Sequence, residues 1–148
     1  MRFPTRLAVL LVLSTLALGG CDVLNGAKPL STTPKTQSAE NDVVSYVRTT
    51  VVEIRRGSVF KVHVEVVAKE DLELLAVSET VPEGFSLEDS APPTKFLTNV
   101  AAGEKIELDY RVKAGKKKGS FPLTGFARAK LAGEDSVQLE LVSPLKVR

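Results

Sequence analysis

From Val43 to Arg148 apolar and polar residues alternate with a period of two, and no helical periodicity competes with it. Phe60, Val62, Val64 and Val66 share one parity, while Lys61, His63 and Glu65 take the other. Ile106, Leu108, Tyr110 and Val112 stand in the same relation to Glu107, Asp109 and Arg111. A third row runs through Phe121, Leu123, Gly125, Ala127 and Ala129, and a fourth sets Val137, Leu139 and Leu141 against Gln138 and Glu140. Each row predicts a β-strand with one dry face and one wet face. Turn formers punctuate the rows at Arg56-Gly57, Pro82-Glu83-Gly84, Pro92-Pro93, Ala102-Gly103, Gly115 to Gly119 and Gly133-Glu134-Asp135.

These signals predict seven strands, near 44–55, 58–68, 72–81, near 94–98, 104–113, 119–131 and 136–147. Short strands at this spacing predict an all-β, seven-stranded antiparallel β-sandwich of the immunoglobulin-like or fibronectin-like kind. A chain of this length can bury a self-sufficient core. Without tryptophan or a cysteine pair, that core rests on aliphatic packing, with Leu74 and Val77 expected to face inward.

The N-terminal segment reads differently. Arg2 and Arg6 precede an apolar stretch from Leu7 to Leu18, broken by Ser14 and Thr15 and ending at Gly19-Gly20-Cys21. This is the layout of a signal peptide, shorter than the roughly 20 apolar residues of a permanent transmembrane helix. Leu18-Gly19-Gly20-Cys21 resembles the lipobox of bacterial lipoproteins. The resemblance implies cleavage before Cys21, diacylglycerol on its sulfur, and a protein held to a membrane of the cell envelope by its lipid. Residues 1–20 are then a lipoprotein signal peptide and 21–42 a lipidated, flexible tether. The tether reading follows from the Ser, Thr, Pro, Lys and Asn content of 22–42, which offers too little apolar area to offset ordering. The immunoglobulin-like domain occupies 43–148.

Charge narrows the choice of partner. The 20 Lys and Arg outnumber the 18 Asp and Glu only through Arg2 and Arg6, which leave with the signal peptide. A balanced mature chain in the envelope gives no footing for nucleic-acid binding. Acylation of Cys21, the only cysteine, leaves no thiol for a disulfide.

Glu79-Thr80-Val81-Pro82-Glu83-Gly84-Phe85, Ala102-Gly103-Glu104, Leu108-Asp109-Tyr110-Arg111-Val112 and Gly119-Ser120-Phe121 together resemble the DUF11-type repeat of bacterial and archaeal surface proteins. That resemblance covers roughly 50–130 and implies an immunoglobulin-like domain in extracellular scaffolding or adhesion, with no shared chemistry. Here the repeat occurs once.

Candidate chemistry is sparse. His63, the only histidine, falls on the wet face of its strand, with no nucleophile or orienting group indicated. A blue-copper site needs two His, a free Cys and usually a Met, which this chain does not supply. The acidic pairs Glu70-Asp71, Glu88-Asp89 and Glu134-Asp135 lack the spacing of a calcium loop. The sequence therefore predicts no enzyme, no metal and no cofactor.

One dense charge run remains, Lys116-Lys117-Lys118 between Gly115 and Gly119. Immunoglobulin-like topology would gather it with Arg55, Arg56, Lys146 and Arg148 at one pole, and Glu70, Asp71, Glu73, Glu104, Glu134 and Asp135 at the other. With the tether entering at the first strand, the acidic pole is expected nearest the membrane and the basic pole outermost. The predicted function is a lipid-anchored, non-enzymatic interaction or scaffolding module of the envelope. Its basic pole would contact an envelope protein or an anionic envelope polymer, or a sheet edge would accept a partner strand. Alternatives are an accessory subunit of an envelope enzyme and a loop-presenting inhibitor of envelope proteases. The inhibitor would insert the irregular stretch Ser86 to Thr98.

Overall fold

A computed structural model describes residues 32–89 and 92–148. The predicted signal peptide at 1–20, Cys21 and the expected tether as far as residue 31 lie outside the described residues. Ten strands and no helix are found among those described. They are β1 (Lys35–Glu40), β2 (Val44–Thr50), β3 (Glu53–Ile54), β4 (Val59–Ala68), β5 (Leu72–Thr80), β6 (Ser86–Leu87), β7 (Thr94–Val100), β8 (Lys105–Lys113), β9 (Gly119–Lys130) and β10 (Ser136–Val147).

They form two five-stranded sheets, one in the order β1-β2-β4-β8-β6 and the other β3-β10-β9-β5-β7. Every pairing is antiparallel except β3 with β10. The alternation in the sequence is the cause. Val62, Val64, Val66, Ile106 and Val112 from one sheet and Leu75, Val77, Leu123, Ala127 and Ala129 from the other are fully buried between the layers. Phe60 and Phe85 meet edge-on at 6.5 Å, and Phe85 meets Phe121 at 5.3 Å, closing one end of the core.

Several expectations need correction. Seven strands become ten because β1 and β6 lie outside the expected set and because the predicted first strand at 44–55 breaks and changes sheets: β2 pairs with β4, while β3 pairs with the end of β10. In β5 the buried parity is Leu75, Val77 and Glu79, and Leu74 is only half-buried. Ser86–Leu87 pairs with β8, and β7 extends from 94 to 100 beside β5. Of the irregular stretch expected over Ser86 to Thr98, residues 86–87 and 94–98 are therefore strand, and Asp89 is tied to Arg111 at 3.2 Å. The loop of the protease-inhibitor alternative is thus strand at both of its ends.

The largest difference falls in the tether. Residues 35–40 are not linker but strand β1, paired along its whole length with β2, from Lys35 opposite Thr50 to Glu40 opposite Ser45. Backbone hydrogen bonding to β2 holds it there. Asn41 Oδ1 accepts from the Val43 and Val44 amides and fixes the turn, and Lys69 Nζ bonds Glu40 at 2.9 Å.

Candidate functional site

Two polar assemblies stand out, one buried between the sheets and one at a pole. In β2, Tyr46, Arg48 and Thr50 share the buried parity with Val44, so Arg48 enters the core at 0% exposure. In β5, Glu79 shares its parity with Leu75 and Val77 and enters from the facing sheet at 5%. The two meet with Arg48 Nη2 2.8 Å from Glu79 Oε2. Arg48 Nη1 also donates to the Leu123 and Leu141 carbonyls at 3.0 and 3.2 Å and to Ser143 Oγ at 2.7 Å. Tyr110 OH donates to Glu79 Oε2 at 2.7 Å, and Tyr46 OH donates to Oε1. The network is closed by Gly125, where a Cβ would collide with Tyr46 OH, the Glu79 carboxylate and the Arg48 guanidinium.

This cluster links the layers and offers no route to a substrate, since every member is buried and bonded within the protein. Burial pushes the Glu79 carboxyl up to about 8, against the pull of the Tyr110 hydroxyl, and draws Arg48 down to about 10. Tyr110 is raised, first by burial and then by the carboxylate it faces.

A pH dependence follows. Between 4.5, the ordinary value, and about 8, folded Glu79 holds a proton that the unfolded chain has released. Its contribution to stability is complete below 4.5 and is lost as pH rises through about 8. Urea unfolding at pH 5, 6, 7 and 8 is expected to show a falling midpoint that Glu79→Gln flattens. A midpoint rising over that range would contradict the assignment.

On the outer face of β4 and β8, His63 Nδ1 lies 3.0 Å from Asp109 Oδ1, and Lys61 Nζ lies 3.1 Å from the same oxygen. The His63 and Lys61 hydrogen bonds hold Asp109 below the usual carboxylate range. A histidine oriented by a carboxylate is half of a hydrolytic triad. Its cross-strand neighbour Thr49, however, shares its hydroxyl hydrogen bond with Thr36. His63, Glu65 and Glu107 have ligand atoms close together, but Lys105 Nζ occupies the space between the carboxylates at 3.0 and 2.9 Å. An ammonium there stands where a metal cation would.

The second assembly is the basic pole. The β3–β4 turn carries Arg55 and Arg56, with Gly57 at φ 68 making the turn sharp. The Gly57 amide bonds the Gly115 carbonyl at 3.4 Å, and the Ala114 amide bonds Ser58 at 2.9 Å, drawing in the loop of Lys116, Lys117 and Lys118. The Arg56 amide bonds the Arg148 carbonyl at 3.3 Å, and Lys146 lies opposite Ser120 and Glu53. All seven candidate residues are thus brought to one end of the sandwich. Arg148 pairs with Glu53 at 2.6 Å; the other six have no ion pair among the described residues.

Lys113, which the sequence reading left out, joins them at the end of β8. With Lys116, Lys117, Pro82, Phe85 and Phe121 it lines a cleft of about 850 Å³, whose one carboxylate is Glu83. A second cleft of about 730 Å³ on the other side of the same turn holds Arg55, Ser58 and Phe60 together with Thr32 and Pro34. At the far pole the lysines are already paired: Lys69 with Glu40, Lys105 with Glu65 and Glu107, Lys130 with Glu73. Asp71 and Glu104 accept from backbone amides there.

Two layered, largely antiparallel sheets, with no helix among the described residues, form an immunoglobulin-like sandwich. The native alpha-2-macroglobulin of Escherichia coli, from domain MG7 to the C-terminus, matches 79% of this chain with a TM-score of 0.56 and 16% identity, and this chain spans 17% of that one. The GAE domain of GGA2p from Saccharomyces cerevisiae matches 75% of this chain and 97% of its own length, with a TM-score of 0.50 and 10% identity. These likenesses are of fold alone. No family model and no curated protein matches the sequence.

Proposed function

We propose that this chain is a lipid-anchored, non-enzymatic interaction module of the bacterial envelope that contacts an anionic component through its basic pole. The lipobox-like Leu18-Gly19-Gly20-Cys21 supports the anchor, and the DUF11-like pattern supports a surface or scaffolding role. The observation that carries the contact surface is the asymmetry of pairing. Lysines at the acidic pole are neutralised within the fold, whereas Arg55, Arg56, Lys116, Lys117, Lys118 and Lys146 have no ion pair among the described residues. Six like charges held at one end of the sandwich, five on adjoining turns and Lys146 at the end of β10, cost self-repulsion, which an anionic partner relieves.

The test is capture of the acylated, full-length protein with its native envelope at low salt. The triple variant Lys116→Glu, Lys117→Glu, Lys118→Glu is expected to weaken retention of the anionic component at least about tenfold, and salt to do the same to wild type. Retention unchanged by both overturns the contact surface. Mass spectrometry showing an unmodified Cys21 sulfur overturns the anchor.

A further inference from the structure

The direction of β1 decides which pole meets the bilayer. In the sequence-based expectation the chain enters the sandwich at Val43, beside the acidic turns, and the basic loops point away from the membrane. Instead Asn41 and Asp42 make a turn at the acidic pole, and β1 runs back along β2 to Lys35, opposite Thr50. Thr32 and Pro34 then share a cleft with Arg55 and Ser58. The first described residues therefore lie at the basic pole.

On the reading that Cys21 is acylated, we infer that the basic pole faces the anchoring bilayer and that its anionic partner is the phospholipid headgroup surface of that bilayer. This rests on the proposed function and names the partner of the same site. The lengths support it. Ten residues lie between Cys21 and Thr32, so even fully stretched the chain reaches about 36–40 Å over its eleven Cα-to-Cα steps. Strand β10 runs the height of the sandwich with 12 residues, about 40 Å at 3.3 Å each. Reversing the domain moves the basic loops by about that height, several times the roughly 8 Å over which charges act at physiological salt. Entry at the basic pole keeps these loops within the short tether's length of headgroup charge, whereas entry at the acidic pole adds the height of the sandwich unless the domain folds back on its tether.

The surface chemistry agrees. Lys113, Lys116 and Lys117 rim a cleft floored by Phe85 and Phe121, and Val59 beside the Arg55-Arg56 turn is 48% exposed. Cations over apolar ground suit the boundary between headgroups and acyl chains. The carboxylates lining the two clefts are Glu53, held by Arg148, Asp109, held by Lys61 and His63, and Glu83 at the rim.

The test uses full-length acylated protein in vesicles of zwitterionic phospholipid alone, or with an anionic phospholipid added. With Cys21 blocked, a fluorophore on Ser120→Cys, between Lys118 and Lys146, or on Ala132→Cys, at the acidic pole, reads distance to a headgroup-attached quencher. The expected result is strong quenching at Ser120 in anionic vesicles and little at Ala132. The Ser120 signal is lost in zwitterionic vesicles, at high salt, and in the Lys116→Glu, Lys117→Glu, Lys118→Glu background. An unchanged urea midpoint in that background separates lost contact from lost fold.

Stronger quenching at Ala132, or quenching at Ser120 that is the same in both lipids, overturns the inference. If the triple variant releases an envelope component while Ser120 stays unquenched, the partner is a polymer or an acidic protein. That result overturns the lipid assignment and leaves the contact surface standing. If neither measurement responds to the triple variant, both fail.

Discussion

Glu79→Leu, measured above about pH 8 where folded Glu79 has given up its proton, is expected to lower the free energy of unfolding by about 3–5 kcal/mol, because it leaves the Arg48 guanidinium charged and buried with carbonyl and hydroxyl partners only. Arg48 cannot escape by losing its proton, since even burial leaves it near 10. The reverse change is milder. In Arg48→Met, Glu79 is already inclined by burial to hold a proton and keeps the Tyr46 and Tyr110 hydroxyls, so about 1–3 kcal/mol is expected. The double variant removes both charges and is expected to cost less than the two single losses combined. Equilibrium urea unfolding of the four proteins measures this. Equal losses in the two single variants, or strict additivity, would mean that the pair is not coupled across the sheets.

Gly125→Ala is the second large effect. The methyl group would enter space held by Tyr46 OH, the Glu79 carboxylate and the Arg48 guanidinium at once, and none of these can turn toward solvent from the core. Overpacking of this kind costs about 1–3 kcal/mol, and the upper end is expected because polar groups must separate as well as move. Thermal unfolding is the readout, with Gly103→Ala as a control: Gly103 has open space at its Cβ position but φ 90, so its loss comes from backbone alone. Gly125→Ala no worse than that control would contradict the close approach.

Much of the architecture was legible because β4, β8, β9 and β10 each bury one face, which writes itself into every second residue. β1 carries no such mark. Lys35-Thr36-Gln37-Ser38-Ala39-Glu40 is an outer strand with both faces largely wet, held by backbone bonds that composition does not reveal. Missing it reversed the expected orientation of the whole domain. In β5, apolar residues on both parities, Leu72 and Leu74 against Leu75 and Val77, made the inward phase ambiguous.

The two polar assemblies differed in the same way. The basic pole was readable because most of its residues lie in turns, or at the end of the last strand, that a sandwich collects at one end. Lys113 was passed over because it closes a strand rather than opening a loop. Arg48 and Glu79 did sit at buried parity in their strands, which is the signal that could have found them. Neither was singled out, because its partner lies 31 residues away on the other sheet, and a charge at a core position makes sense only once both are seen.

Everything about which pole meets the bilayer turns on β1, so amide hydrogen exchange of the full-length protein over 35–40 tests it most directly. The structure predicts slowed exchange in this segment, lost together with that of β2 when Lys35 to Glu40 is replaced by a Gly-Ser run. Exchange at the rate of an unstructured chain throughout 35–40 would return the segment to the tether, move the point of entry to Val43, and turn the basic pole away from the membrane.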